Sequence, residues 1–408
     1  MAMVRPFRAL RPIPDRVKDV ASVPYDVVTT AEAKALALGN HSSFLHVIRP
    51  EIDLPEGTDP YSEAVYQKAK ENLSHLISEG TLFQDEDACF YIYRIKTDTH
   101  EQTGVACCSS VLEYEKDIIR KHEHTRKEKE DDRVRHMLTL SAHTGPVLMT
   151  YRSRESIGAL LARGTHEEPL YDFVANDGVQ HTLWRESHTE EITRAFLEVP
   201  LLYIADGHHR AAGAWRVRKE SLKINPNLRD EEECNFFLTV LFPSDQLNIL
   251  PYNRYVSDLN GMSEEQFLKR VRGQFSIQET DDPSPEKQRQ FCMYLEGKWF
   301  RLSLREGMSP AASDPVSSLD LSVFHETMLA PVLGIGDQKE DRRIDFFGGE
   351  ESIKKLSEQV DREGGVAFSF FPVGVEELLA VADAHMIMPP KSTWFSPKLR
   401  SGLLIHRF

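Results

Sequence analysis

Residues 201–218 read LLYIADGHHRAAGAWRVR, and the fold is read outward from them. The apolar run from Val199 to Ala205 is too short for a helix and is interrupted near its start by Pro200, so it reads as the end of a buried strand. Asp206-Gly207 is a turn signal, and Asp206 can also serve as N-cap for a helix beginning just after it. His208 to Lys219 carries strong helix formers, with Ala211, Ala212, Ala214 and Trp215 on the inner side. A strand that ends in Asp-Gly and opens a helix leaves backbone N–H groups pointing into the turn, where they attract anions, phosphate above all. Arg210 adds a fork for phosphate oxygens beside His208 and His209. The same residue types also fit a capped surface helix whose histidines cover the turn, so both readings stay open at this point.

Composition narrows the classes. The chain has 408 residues, enough for two or three domains, with 49 Lys plus Arg against 64 Asp plus Glu and a formal charge of −15. That balance argues against broad binding of a nucleic-acid backbone, which needs a basic footprint, so DNA is not the expected partner. Five scattered cysteines without a C-x-x-C pair read as reduced, buried thiols in a cytoplasmic protein. Met1 to Pro14 is rich in Arg and Pro and lacks an apolar signal core, and no run approaches a membrane span.

Along the chain, Phe44 to Ile48 reads as a strand and the stretch from Ala64 to Ile77 as a helix. Ala88 to Ile95 and Thr103 to Leu112 read as a hairpin or meander. Ile118 to Met137 is the most charged window. Apolar residues are almost absent from Arg120 to Asp132, so the window is expected to be a loop reaching into a polar site. Gly145 to Tyr151 and Cys234 to Phe242 are further strands, and Ile249 to Arg254 places Arg254 at a strand end. Beyond a composition shift near Ser257 to Gln266, helices and strands again mix. The fold class is therefore α+β, or mixed α/β, in three lobes: 1–112, 113–258 and 259–408.

Metal motifs fail on spacing. His122-Glu123-His124 and His325-Glu326 lack a second histidine four residues after the first, where Arg126 and Leu329 stand instead. His208 and His209 are helix neighbours whose side chains point about 100° apart. No metal ligand is expected. No Walker A loop or kinase glycine loop appears, and Gly348-Gly349 lacks a dinucleotide-binding context.

Asp206-Gly207-His208-His209-Arg210-Ala211-Ala212 resembles the phosphate-binding signature of the ParB/sulfiredoxin superfamily. The remainder is similar to the family called domain of unknown function 1015. That similarity rests on Val23-Pro24-Tyr25-Asp26-Val27, the HE-x-T…DR pattern between Arg120 and Met137, Pro251 to Arg254, and Met388-Pro389-Pro390-Lys391-Ser392-Thr393. Within the superfamily the D-G-H-H-R form looks most like the free L-serine kinases. The resemblance implies a ParB/sulfiredoxin-like nucleotide-binding core in 113–258, with extra α+β lobes on either side.

It also implies a kinase using ATP or ADP with Mg²⁺ to make O-phosphoserine. Glu123 would be the general base, steered by His122 or Arg133. Gly207, His208, His209 and Arg210 would hold phosphates, and Asp206 would orient Mg²⁺ or cap the helix. Such a base should be partly buried or close to another carboxylate, so that its pKa suits neutral pH. The gap from Glu123 to Asp206 is much longer than in the compact kinases, which implies either an insertion or an accidental HE match. Arg254 reads first as an exposed structural arginine and second as a ligand for phosphate or an amino-acid carboxylate. Two other classes compete: a ParB-like switch that binds and hydrolyses a nucleotide, and a non-catalytic regulatory module that binds a metabolite.

Overall fold

The computed structural model describes residues 2–308 and 313–408. The chain forms two compact units, one of residues 1–247 with 397–408 and one of residues 248–396.

In the first unit, nine strands among the described residues share one sheet. They are β1 (Val4–Arg5), β2 (Phe90–Lys96), β3 (Glu101–Ser110), β4 (Ile119–Arg120), β5 (Val147–Tyr151), β6 (Tyr171–Val174), β7 (Gln180–Glu186), β8 (Leu202–Asp206) and β9 (Phe236–Pro243). Their order is β4-β8-β5-β9-β3-β2-β7-β6, with β1 beside β3. The pairs β4–β8 and β5–β9 are parallel and the others antiparallel. Sequence follows position: β9, flanked on both sides, is buried along its whole length, whereas edge strand β6 alternates buried and exposed.

Helices α1 (Glu63–Ser78), α2 (Lys127–Leu140), α3 (Glu155–Gly164), α4 (Thr189–Leu197) and α5 (His208–Ile224) belong to the same unit. Ile157 and Leu161 of α3, Ile192 and Phe196 of α4, and Ala211 and Ala214 of α5 join one core with Met149, Leu202 and Ile204. Helices α2 and α5 approach closely because Gly213 has no side chain; a Cβ there would lie 3.3 Å from Arg133 Cβ and 3.5 Å from Met137 Cε.

The second unit carries a six-stranded antiparallel sheet among its described residues. Its strands are β10 (Asn253–Val256), β11 (Phe275–Glu279), β12 (Gln290–Leu295), β13 (Lys298–Leu304), β14 (Ile344–Phe347) and β15 (Val366–Phe370), in the order β11-β13-β12-β15-β10-β14. Helix α6 (Ser352–Glu363) packs Leu356 and Val360 against Tyr255, Tyr294 and Ala367. The architecture is mixed α+β, as expected.

The division differs from the expected three lobes. A boundary at 112 would separate β3 from β9, which pair residue by residue from Phe236↔Ser110 to Leu241↔Val105. Two local expectations also fail. Residues 45–48 form a short helix rather than a strand, since a brief apolar run buried all round shows no period that distinguishes the two. The charged window is a loop only at its start. From Lys127 it is helix α2, held by buried Val134, Met137 and Leu140 in its second half and by Arg216 pairing with Glu130 and Asp131 in its first.

Stacked histidines close the first unit. His143 and His406 lie face to face, with ring centroids 5.5 Å apart, where residues 406–407 pair with 142–143. Burial holds both below the usual 6.5, and at His143 the neighbouring ring disfavours the proton further. Depressed folded-state pKa values mean that the unfolded chain takes up protons first as pH falls. This contribution to stability is therefore complete above 6.5 and lost below it, at up to about 1.4 kcal/mol per pH unit per histidine. Urea unfolding of the chain should show that decline, and His143→Phe should make it shallower; an unchanged slope would contradict the assignment.

Candidate functional site

The 201–218 stretch folds as strand, turn and helix. Asp206 ends β8, Gly207 takes the left-handed conformation at φ 94°, and α5 begins at His208. Gly207, not Asp206, occupies the N-cap, and no side chain of the described residues caps the helix. The Asp206 carboxylate instead accepts from Arg210 Nη2 at 3.1 Å and from Lys398 Nζ at 3.4 Å. Burial alone would raise its pKa, but Lys398 and Arg210 outweigh it and hold the group down at about 2. Asp206 thus enters the site as an ionised carboxylate whose charge Lys398 and Arg210 offset. Arg210 turns inward: it is 6 % exposed, its Nη1 donates to the Pro146 carbonyl, and a Cβ on Gly207 would sit 3.0 Å from its Cζ. Its guanidinium shapes the turn more than it faces solvent.

The distant HE pair arrives through the sheet. β4 and β8 are parallel, with Leu202 opposite Ile119 and Tyr203 opposite Arg120, so the residues that leave each strand emerge side by side. His122 and His208 meet edge to face with centroids 4.5 Å apart, and Glu123 Oε2 lies 4.0 Å from His208 Nδ1. The intervening 124–205 segment contains α2, β5, α3, β6, β7, α4 and all of β8 but its last residue. Both imidazoles are buried, which pushes each pKa down to about 3 and leaves them neutral. Among the described residues neither nitrogen of His122, nor Nε2 of His208, has a side-chain hydrogen bond. Glu123 differs from expectation: its side chain is 44 % exposed rather than partly buried.

His209 accepts a hydrogen bond from the Arg126 backbone N–H at 3.1 Å and so ties the 121–126 loop to α5. Arg133 is buried, paired with Asp132 at 2.7 Å, and lies 3.8 Å above the Tyr25 ring. A narrow cleft is lined by Tyr25, Arg133, His136 and Arg210. Beside it a cavity of about 220 Å³ is lined by Tyr25, Arg49, Glu51, Lys129 and Arg133. Arg254 lies outside the first unit. It belongs to the second unit, is buried rather than exposed, and donates to Gln338 Oε1 and the Tyr252 carbonyl at 3.0 Å each. Burial draws its pKa down to about 9. Sequence reasoning missed two contributors, Lys398 and the cleft role of Tyr25. Tyr25 lies in one of the segments that carried the family resemblance, and that was its signal.

A family model described as a protein of unknown function, DUF1015, matches residues 4–322. The chain belongs to this family. Among solved structures, this DUF1015 chain is similar to a free serine kinase in complex with AMP, at 13 % identity and TM-score 0.33, covering 68 % of this chain and 84 % of that one. It is also similar to a mutant free serine kinase in complex with ADP, at 14 % identity and TM-score 0.33, with 74 % and 90 % covered. A third is SbnI with C-terminal truncation from Staphylococcus aureus, at 13 % identity and TM-score 0.37, with 73 % and 86 % covered. Likenesses this slight assign no residue of this chain a role. No curated protein sequence matches. Among the described residues no helix is long and apolar enough to cross a membrane.

Gly207→Ala should cost about 1–2 kcal/mol, because an L-residue is strained at this φ and its Cβ meets the Arg210 guanidinium. Chemical denaturation checks it; a neutral substitution would mean that the turn tolerates a different backbone.

Proposed function

We propose that this chain is a nucleotide-dependent phosphotransferase acting on a small hydroxy amino acid, free L-serine foremost. One observation carries the reading: parallel strands β4 and β8 deliver a carboxylate, Glu123, to the N-terminal end of a helix that begins at His208. The positive end of α5 suits the phosphates of ATP or ADP. His209 and the Arg126 backbone it holds border that end.

In this reading Glu123 takes the proton from the serine hydroxyl as its oxygen attacks the terminal phosphorus. The bond from phosphorus to the bridging oxygen breaks, the electron pair leaves with the shortened nucleotide, and O-phosphoserine forms. His122 positions Glu123 through its place in the same loop, and buried His208 stands behind it. Arg210 acts indirectly, by fixing Asp206 and the turn. Asp206 does not suit direct binding of Mg²⁺, because Lys398 and Arg210 already engage its carboxylate. The metal would come with the nucleotide's phosphates. The cavity beside Arg133, with Arg49, Lys129 and Glu51 on its walls, offers charges of both signs for a zwitterion.

The pure protein is incubated with a panel of nucleotides, Mg²⁺ and amino acids, and products are read by mass spectrometry. Phosphoserine is expected with one nucleotide of the panel. Nucleotide hydrolysis indifferent to serine would favour a ParB-like switch, and ligand-induced stabilisation with no product a binding module. Glu123→Gln should lower turnover about 10²–10⁴-fold with nucleotide binding largely intact. Arg210→Ala should weaken nucleotide binding about 10- to 100-fold. Turnover at the wild-type rate in Glu123→Gln would remove that residue as base.

A further inference from the structure

His122, Glu123 and His208 offer one donor atom each, and these three atoms lie within 4.8 Å of one another. We propose that they form a binding site for a divalent transition metal of the zinc class, distinct from the Mg²⁺ that accompanies a nucleotide.

The three groups converge without satisfying each other. Glu123 Oε2 and His208 Nδ1 are 4.0 Å apart, beyond hydrogen-bond range, and the two imidazoles meet edge to face at 4.5 Å. Buried polar atoms are nearly always paired, yet both nitrogens of His122 and Nε2 of His208 have no partner among the described residues, with the residues 2 % and 5 % exposed. A cation drawn into this triangle would take one nitrogen from each ring. Bonds of about 2.0–2.2 Å set neighbouring ligand atoms of a tetrahedral site roughly 3.3–3.5 Å apart, so closure needs about an ångström of movement. The exposed Glu123 side chain can supply most of it.

Donor chemistry selects the ion. Two imidazoles and one carboxylate suit zinc, cobalt or nickel, whereas Mg²⁺ prefers oxygen ligands and keeps several waters. Three protein ligands leave a position for water or a phosphate oxygen, and while Glu123 is bound to the ion it is not free to act as the base of the kinase step. The spacing rules missed the set because its donors come from two elements, the loop after β4 and the first turn of α5.

Metal uptake is measured on the full chain, without nucleotide or serine. The protein is stripped with a chelator, dialysed and titrated with Co²⁺ while visible absorption is followed; zinc content is then read by mass spectrometry after gel filtration. One equivalent per chain is expected. His122→Ala and His208→Ala should each weaken uptake more than about 100-fold, a larger loss than that for outer partners of a ligand. His124→Ala should leave it unchanged. Uptake well below one equivalent by the wild type, or full uptake by the His122/His208 double variant, would overturn the site.

Should the buried substitutions impair folding, X-ray absorption of the zinc-loaded wild type decides. Two imidazoles at about 2.0–2.1 Å support the site, and one or none overturns it. The kinase reading is scored separately, as phosphoserine formed with Mg²⁺ after chelation. Either result can therefore fail while the other stands.

Discussion

The parallel contact between β4 and β8 governs the rest of the first unit's chemistry. Two strands of two and five residues set a register, and with it every residue that leaves their common end. Shifting either strand by one residue would turn its side chains to the opposite face and part His122 from His208. The pairing is held in turn by burial: Ile119, Leu202 and Ile204 are all within the core that α4 and α5 cover. Hydrophobic packing far from any polar group thus fixes where an imidazole and a carboxylate stand.

Electrostatics around the turn is arranged to keep ionised and neutral groups apart. Asp206 stays charged despite burial because Lys398 and Arg210 reach it, whereas His122 and His208 stay neutral because desolvation outweighs the pull of nearby Asp206. A buried cation and anion in contact satisfy each other, but imidazole nitrogens without partners carry an energetic cost that the surrounding core must offset. Such unrelieved polarity inside a well-packed unit is where function is usually found.

Much of this was legible in the sequence, and the reasons for the remainder are physical. The strand, the Asp-Gly turn and the helix are local, so residues 201–218 declared them; even the need for glycine at 207 comes from the turn. The meeting of His122 with His208 was not local, since a whole series of helices and strands lies between, and only the family resemblance pointed to it. Helix α2 was hidden because its first half is anchored by ion pairs rather than by an apolar stripe. Lys398 could not be found at all: it is separated from Asp206 by 192 residues, and nothing in the neighbouring sequence signals that pairing. The three lobes were misjudged for a related reason, as pairing between β3 and β9 leaves no trace in either segment alone.

The return of residues 397–408 to the first unit has a consequence for biogenesis. Translation must pass through all of residues 248–396 before the segment that supplies Lys398 is made. Until then the nascent first unit holds Asp206 without the Lys398 ammonium, and the stacked pair at His143 lacks its second ring. Completion of the turn is thereby coupled to synthesis of the entire second unit, and a chain cut anywhere between the two would carry the motif without its finishing cation.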